Sequence, residues 1–411
     1  MHHLRERFPP GFFDLPQSAG GTLPLGIIAA WTSSAQTPEV ARALVAPHVL
    51  QGIIVASDSA GLTRLGRERP LIEILAMIGQ PKEIIHACGR AIGGRPIGVW
   101  VADNTEMFYP ADIPTARILA MLNTTMQRIA RDCELGIGMA VHAGAFFELG
   151  DAVHGVDAER VETLAEEYTE GGELVVTADV EGLLPSSHDF ALAPRADLHE
   201  RFGRVLRLTA GATLDDLDAH DVAYPAPYSS EFSTELAEYT RTRRDSRMPR
   251  PAYLDLAVVL VECEPDRAEV PEVGVLNNLA LTAAMKRIGH SHLVSYDGRE
   301  VKSVGRLGIY TFADALVAIE FARAFRASFA EQGVQCRIGI DAGPVLVFDL
   351  GRDTHDIAGS AVNVASKLAQ DVGEYGRIQF SDTVARRAGV KPARVTRTFH
   401  VSGVELRAYD V

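Results

Sequence analysis

The sequence predicts an α+β protein that contains two ferredoxin-like (βαββαβ) domains, and three observations support this fold class. The order strand, helix, strand pair, helix, strand occurs twice along the 411 residues. Corresponding landmarks of the two passes are separated by a nearly constant number of positions. The composition, with 47% hydrophobic and 23% charged residues, is that of a globular protein large enough for two cores. We therefore expect a lead segment, a first domain, a linker with a charged helix and a second domain, over residues 1–47, 48–208, 209–251 and 252–411.

The first domain begins with a strand at 52–57, an apolar and β-branched run that ends at Asp58. Apolar periodicity then predicts a helix over 72–88, and Pro81 predicts a break within it. The elements that follow are a strand pair over 96–109 with Asp103 in its turn, a helix over 115–132, a strand over 136–144, a helix over 159–168 and a strand over 173–177. We expect the sheet to carry its helices on one face.

The second domain repeats the same order of elements. Its first strand, over 256–261, ends at Glu262, and the next elements are a helix over 275–289, a strand pair over 293–312 and a helix over 314–332. The spacing of the two copies follows from four landmark pairs: Glu262 lies 204 positions after Asp58, Arg306 lies 203 after Asp103, Gly359 lies 204 after Gly155, and Gly376 lies 204 after Gly172. Gly343 lies only 199 positions after Gly144, so we expect loop-length differences that cancel on either side. The sequence therefore predicts a duplicated domain.

The stretch 356–368 predicts a loop followed by a helix. From Ser360 onward, apolar residues recur at helical spacing, and Gly359 stands where the loop turns into that helix, with Ser360 as the N-cap. Asn363 and Lys367 are four residues apart, so both project from one helix face. A neutral donor and a cation on one face can hold an anion or a developing charge. The competing interpretation is an amphipathic helix whose polar residues face water.

The second domain resembles the second half of a class III nucleotide cyclase catalytic domain, and the segments that carry the resemblance are 336–345, 356–368 and 376–381. The resemblance implies that Asp356 contacts adenine, that Asn363 handles the ribose, and that Lys367 handles the transition-state phosphate in place of the family's Arg. Lys302 matches the family lysine that selects adenine over guanine together with this Asp. Arg407 resembles a C-terminal basic residue that grips the β- and γ-phosphates. An exposed strand cation is the competing interpretation for each of the last two.

The first domain resembles the family at its metal positions. Asp58 follows a strand and Asp103 lies in the neighbouring hairpin turn, and two carboxylates brought together in this way can hold two hard cations. The resemblance implies two Mg²⁺ or Mn²⁺ ions that activate the ribose 3′-hydroxyl and neutralise the triphosphate, with the Ser59 carbonyl as a further ligand. The competing interpretation places both Asp residues in surface turns. Backbone amides that suit the phosphates follow the strand, at Ser59, Gly61, Leu62 and Thr63.

Each domain lacks what the other retains. At the positions of the three base-side residues, the first domain has Ala152, Glu159 and Thr163. In the second domain Glu262 could still bind a cation, but Arg306 replaces the second metal ligand. The resemblance therefore implies two domains paired head-to-tail within one chain, as in the two-domain mammalian adenylyl cyclases. One site would work, the other would be degenerate and open to a regulator, and the intrachain pairing is compatible with a monomer.

The predicted activity is the conversion of ATP to 3′,5′-cyclic AMP and pyrophosphate. Lys367 and Gly138 stand where the family has phosphate-binding Arg residues, and both departures are compatible with slow turnover. GTP or a pyrimidine substrate stays open because selectivity rests on two residues. The main alternative is a catalytically silent pseudo-cyclase that binds a nucleotide or a protein. A metal-dependent binder using His290 and His292 is a weaker alternative, because these histidines are expected in a loop or at a strand start.

Charge and segment composition argue against several classes of protein. The net charge of −14 argues against a nucleic-acid partner, whose phosphates would be repelled. The first ten residues are charged and contain proline, unlike a signal peptide, and no apolar run is long enough to cross a bilayer. The four cysteines have no C-x-x-C spacing, which indicates reduced thiols. We therefore expect a cytoplasmic protein without membrane insertion.

Overall fold

The computed structural model describes residues 23–60, 69, 71–100, 103–217, 224–226, 228, 230–242, 252–266, 268–351, 354–390, 397–401 and 404–410. The chain divides into two compact units. The first unit is Val45–Met248, and the second unit combines Met1–Leu44 with Pro249–Val411. Each unit contains one eight-stranded mixed sheet with helices, so the predicted α+β class with two similar domains is confirmed.

Two helices precede the first sheet, α1 (Leu25–Ser33) and α2 (Pro38–Val45), and a 3₁₀ turn follows at Ala46–His48. The strands of the first unit are β1 (Val49–Ala60), β2 (Arg95–Pro96), β3 (Thr105–Pro110), β4 (Gly136–Leu149), β5 (Ala152–His154), β6 (Leu174–Thr177), β7 (Ala191–Pro194) and β8 (Val205–Ala210). Its helices are α3 (Leu71–Ala91), α4 (Thr115–Asp132), α5 (Val156–Tyr168), α6 (Ala178–Glu181), α7 (His199–Phe202) and α8 (Ser230–Thr242), with a 3₁₀ turn at Ala196–Leu198.

The first sheet has the strand order β2-β3-β1-β4-β6-β8-β7, and β5 pairs with β4. Strand β1 lies antiparallel between β3 and β4, and β6 runs parallel to β4. Ser57 stands opposite Thr105, and their hydroxyl oxygens are 2.5 Å apart. This register brings Asp58, the residue after Ser57, to the end of the sheet where the turn with Asp103 leads into β3.

Helices cover both faces of this sheet. Ile53 and Val55 belong to a buried cluster that includes residues of α3 and α4, whereas Ile54 and Ala56 belong to a second cluster that includes residues of α5. Successive strand residues point to opposite faces, so a strand that is apolar at every position needs two apolar neighbours. The prediction that the helices lie on one face is therefore wrong. The unbroken apolar run 53–56 is the signal that could have shown it.

The second unit repeats the arrangement. Its strands are β9 (Ala252–Cys263), β10 (Arg299–Val304), β11 (Leu307–Phe312), β12 (Cys336–Gly351), β13 (Thr354–Ala358), β14 (Ile378–Ser381), β15 (Arg397–Val401) and β16 (Val404–Asp410). Its further helices are α9 (Pro271–Tyr296), α10 (Ala315–Glu331), α11 (Ser360–Gln370) and α12 (Asp382–Arg387). The strand order is β10-β11-β9-β12-β14-β16-β15, with β13 on β12.

Strand pairing explains why Gly343 lies 199 and not 204 positions after Gly144. Ile54 of β1 stands opposite His142 of β4, and Val258 of β9 stands opposite Asp341 of β12. Ile54 and Val258 are 204 positions apart, whereas His142 and Asp341 are only 199 positions apart. The strand pairing therefore shows the same five-residue difference as the glycines. The β12–β13 hairpin is longer than the β4–β5 hairpin, and this restores the spacing before the following helix. The expected cancelling loop lengths are confirmed.

Two predicted boundaries are wrong. Helix α3 runs through Pro81 without ending, because apolar residues on both sides of the proline are buried and offset the lost hydrogen bond. Helix α9 continues to Tyr296, so the segment from 293 to 296 is helix and not strand. It ends at Asp297, whose φ of 46° and ψ of 44° place it in the left-handed region that stops a helix.

The N-terminal helix α1 packs into the second unit. Trp31 is fully buried, and its Nε1 donates a hydrogen bond to Oδ1 of Asn277 in α9 at 2.9 Å. Ile28, one turn earlier, is also buried. The indole ring of Trp31 is therefore buried, and its N–H group has a hydrogen-bond partner. In the described part of the chain, no helix combines the length and the apolarity that a membrane span requires.

Candidate functional site

The structure brings Lys302 and Asp356 together in the second unit. Nζ of Lys302 donates a hydrogen bond to Oδ2 of Asp356 at 2.8 Å, and the backbone amide of Ile357 donates to Oδ1 at 2.8 Å. Asp356 is only 3% exposed. The pairing of β10 with β11 slips between Glu300 and Lys302, which is a bulge that changes the direction of the side chains. A cation and an acceptor thus lie side by side, 54 residues apart in the chain.

Helix α11 presents the predicted polar pair close behind β13. Gly359 is its N-cap, with φ of 147°, a conformation that favours glycine. Ser360 is the first residue of the helix, so the prediction that Ser360 is the N-cap is wrong. Asn363 is exposed, and Nζ of Lys367 pairs with Oδ2 of Asp371 at 3.1 Å. Pairs of this kind on a helix surface are worth a few tenths of a kcal/mol, so Lys367 can exchange its partner at little cost.

The remaining predicted substrate residues are placed as follows. Arg407 lies on β16, opposite Thr398 of β15, and its side chain is exposed. The positions Gly61, Leu62 and Thr63 lie outside the described residues. The two histidines of the weaker alternative, His290 and His292, lie within α9 and not in a loop or at a strand start. His292 Nε2 is 2.9 Å from the Ser328 hydroxyl of α10, so this histidine joins two helices.

The structure also brings Asp58 and Asp103 together in the first unit. Their carboxyl groups lie close enough together for the charge of Asp103 to act on Asp58. Burial raises the pKa of Asp58 to about 8, with a further contribution from the neighbouring charge of Asp103. Burial also raises the pKa of Asp103. Two carboxylates in this position repel each other when both are ionised, and either a proton or a cation relieves that repulsion.

The surroundings of the pair fit a hard divalent cation. Ser59 is buried, and its Oγ has no hydrogen-bond partner in the described part of the chain. Among the described residues, no group of three or more His, Cys, Asp or Glu side chains could hold a metal. The protein would therefore supply two carboxylates and oxygen atoms of Ser59. This donor set suits Mg²⁺ or Mn²⁺ in sites that are completed by water and substrate phosphates.

Further carboxyl groups of the first unit lie near the pair, and sequence reasoning did not identify them. Glu166 of α5 accepts a hydrogen bond from Nδ2 of Asn104, and burial together with the charge of Asp103 raises its pKa. Burial, followed by the charge of Glu166, raises the pKa of Glu162 to about 7. Burial likewise raises the pKa of Glu106 well above its ordinary value. The helical spacing of Glu162 and Glu166 could have placed them on one face of α5, but only tertiary contact brings that face to Asp103.

In the second unit, the residue that matches Asp58 does not offer a cation site. Oε1 of Glu262 accepts a hydrogen bond from Arg306 at 3.0 Å, and Oε2 accepts one from Arg337 at 2.7 Å. Glu262 is 6% exposed, so its charge is compensated almost entirely by these guanidinium groups. The expectation that Glu262 could still bind a cation is therefore wrong. The Arg337 guanidinium also lies over the ring of Tyr375, 5.0 Å from its centre.

The structure explains the glycine at position 138. Gly138 stands opposite Asp58 in the pairing of β1 with β4. A Cβ atom at this position would collide with the side chain of Thr169 and would lie 3.1 Å from the carbonyl oxygen of Glu170. No larger side chain fits without a backbone shift. The first unit therefore has no room for the arginine that the second unit carries, as Arg337, at the corresponding position opposite Glu262.

Residues 282–406 match the family model of the adenylate and guanylate cyclase catalytic domain. The matched residues all lie in the second unit, which therefore contains a domain that matches this family model, and the first unit has the same strand order. A class III adenylyl cyclase-like ATP-binding protein from Pseudomonas aeruginosa has a similar fold at 12% identity, with a TM-score of 0.55, over 82% of this chain and 85% of that chain. This similarity extends the cyclase fold to both units.

Two further solved structures are similar over one domain only. The adenylyl cyclase CyaB from P. aeruginosa is 20% identical, with a TM-score of 0.34, over 39% of this chain and 95% of that chain. The guanylyl cyclase Cya2 is 16% identical, with a TM-score of 0.32, over 39% of this chain and 92% of that chain. A search of curated proteins found no match.

Proposed function

We propose that this protein converts ATP to 3′,5′-cyclic AMP and pyrophosphate with two Mg²⁺ or Mn²⁺ ions. The observation that carries the proposal is the contrast between the two units. In the first unit Asp58 and Asp103 lie close together, and no basic side chain among the described residues is hydrogen-bonded to them. The matching acid of the second unit is paired with two guanidinium groups. Only the first arrangement attracts a divalent cation. The second unit in turn holds the lysine and aspartate suited to the base.

Lys302 and Asp356 select the nucleotide in this proposal. The ammonium donates to N1 of adenine, and the carboxylate accepts from the 6-amino group, so both groups keep a partner when the base is bound. Guanine presents a donor and a carbonyl at these two places, which would leave a buried carboxylate facing a carbonyl oxygen. The cost of such a mismatch is typically a factor of about 10⁴ where a site is built for hydrogen bonds.

The other residues orient the ribose and the phosphates. Asn363 positions the ribose, Lys367 stabilises the charge that develops on the α-phosphate, and Arg407 holds the β- and γ-phosphates. The amides of Gly61, Leu62 and Thr63 complete the phosphate contacts. Cations held by Asp58, Ser59 and Asp103 would supply positive charge that acidifies the 3′-hydroxyl and neutralises the triphosphate. The proposal assigns the cations to the first unit and the base to the second unit. It also includes a cytoplasmic location and a regulator bound by the degenerate set.

The test is a product assay with ATP or GTP and Mn²⁺. We expect cyclic AMP from the wild type and at least a 100-fold loss in Asp103→Ala, because one oxygen ligand of the cations is removed. Asp151→Ala is the matched control, since Asp151 is an exposed acid in the β4–β5 turn of the same unit. Equal product from wild type and Asp103→Ala would refute the metal role. Nucleotide binding without product would favour the silent alternative, and cyclic GMP as the main product would refute the base assignment.

A further inference from the structure

A buried lysine lies beside the turn that carries Asp103. Lys82 follows Pro81 in α3, and only 2% of its surface is exposed. Its Nζ donates a hydrogen bond to the carbonyl oxygen of Trp100 at 2.9 Å. Burial lowers the pKa of Lys82 to about 8, and the charge of Asp103 acts in the opposite direction. The ammonium group is therefore close enough to Asp103 for their charges to interact inside the unit.

Several contacts from different parts of the first unit meet at Trp100. Its Nε1 donates to the carbonyl oxygen of Glu106 at 3.1 Å, and its amide donates to the carbonyl oxygen of Pro225 at 2.9 Å. The indole stacks on the ring of Tyr224, with centres 6.0 Å apart, and the Lys82 ammonium lies 5.9 Å from that same ring. Trp100 thus contacts the start of β3, the chain near 225 and, through Lys82, helix α3.

The position of Trp100 limits the position of Asp103. Three residues of chain span at most about 10 Å, so a shift of Trp100 moves the turn that follows it. Glu106, on the other side of the turn, is tied to Trp100 through its carbonyl oxygen. The described residues on either side of Asp103 are therefore held by contacts that meet at Trp100. Among these contacts, only the one from Lys82 combines a hydrogen bond to Trp100 with a positive charge near the Asp58–Asp103 pair.

We propose that Lys82 is a positioning residue for metal binding, which holds the Trp100–Glu106 turn so that Asp103 meets Asp58. This inference rests on the proposed function, in which these two Asp residues are the metal ligands. Two effects of the ammonium oppose each other. As an anchor of the turn it favours cation binding, and as a positive charge near the site it disfavours cation binding. The anchoring effect is the larger one in this proposal, so removal of the ammonium group should weaken Mn²⁺ binding.

The experiment measures Mn²⁺ binding without nucleotide. The chain has two tryptophans, so Trp31→Phe leaves Trp100 as the single reporter beside the site, and bound paramagnetic Mn²⁺ quenches its fluorescence. In this background we expect Lys82→Met to need at least tenfold more Mn²⁺ for half quenching, the usual scale for residues that orient metal ligands. Lys82→Arg, which keeps charge and donors, should recover part of the affinity. Lys286→Met is the control, because Lys286 is a partly buried lysine on α9 of the other unit.

The outcomes separate this inference from the proposed function. No quenching by Mn²⁺ in the Trp31→Phe background would overturn both. Quenching in that background with equal or tighter Mn²⁺ binding in Lys82→Met, folded by circular dichroism, would overturn the positioning role alone. Should Lys82→Met fail to fold, Lys82→Gln is the second variant. Its amide nitrogen lies one bond short of the lysine nitrogen and loses the contact with the Trp100 carbonyl, so we expect at least tenfold weaker Mn²⁺ binding here as well. Unchanged affinity in that variant would overturn the inference.

Discussion

Cation binding by the Asp58–Asp103 pair should release a proton. Burial and the charge of Asp103 raise the pKa of Asp58 to about 8, so at pH 7 this carboxyl is about nine-tenths protonated. A hard cation binds the ionised carboxylate, and we therefore expect about 0.9 proton released per binding event at pH 7 and about 0.5 at pH 8. The apparent affinity for Mn²⁺ should rise about tenfold per pH unit below pH 8 and level off above it.

Calorimetry of Mn²⁺ binding in buffers of different ionisation enthalpy measures the released protons directly. Asp103→Asn removes the neighbouring charge, so the pKa of Asp58 falls and fewer protons should be released at pH 7. Asp151→Asn changes an exposed acid of the same unit and should leave proton release unchanged. Heats that do not depend on the buffer at pH 7 would refute the release of a proton by Asp58. Release that persists in Asp58→Asn would show that another group carries it.

The raised pKa of Asp58 also makes the stability of the folded protein depend on pH. The change of stability with pH has the opposite sign to that caused by a salt-bridged acid, whose pKa is lowered on folding. Asp58 holds its proton to a higher pH in the folded chain than in the unfolded chain. The folded state therefore binds the extra proton between about pH 4 and about pH 8, and the metal-free protein loses stability as the pH rises through this window. Thermal melts at pH 6 and pH 8 should show this loss. The difference should shrink in Asp58→Asn and when Mn²⁺ is present at pH 8.

Two further predictions concern the second unit. Lys302→Met leaves the buried carboxylate of Asp356 without its ammonium partner and should lower the free energy of unfolding by about 3 kcal/mol in urea denaturation. Lys286→Met removes a longer, more exposed ion pair and should cost less than about 1 kcal/mol; equal losses would contradict this account. Glu262→Gln leaves two guanidinium groups with a neutral acceptor and should cost about 2 kcal/mol, without changing Mn²⁺ binding. Loss of Mn²⁺ binding in that variant would place a cation site in the second unit after all.

Much of the fold could be predicted because its signals are local. The run 53–56 and its counterpart in the second copy are typical of buried strands, and the period of α11 is visible in its apolar residues. The near-constant spacing of landmarks revealed the duplication. The break predicted at Pro81 was wrong because burial on both sides of the proline is a tertiary property that outweighs a local breaker. Burial does not explain why α9 continues to Tyr296, since residues 290–296 are exposed or half-buried.

The candidate site was predictable where a motif places its residues. Lys302 and Asp356 matched the family pattern, and the structure brings them into contact at 2.8 Å. Lys82 and Glu166 matched no motif. Each lies on a helix whose pattern shows only that one face is apolar, and neither residue type is unusual there. Sequence reasoning therefore had no signal that would single them out.

The sequence by itself determined that this is a duplicated α+β chain, that one copy carries an acid pair and that the other carries the residues proposed to contact the base. The tertiary structure alone decided which charges meet. It paired Glu262 with two arginines, joined Asp58 to Asp103 and brought the Lys82 ammonium to the carbonyl oxygen of Trp100. The physical reason is that periodicity and turn chemistry act over a few residues. The partners of a buried charge are set instead by strand register and helix packing between distant segments.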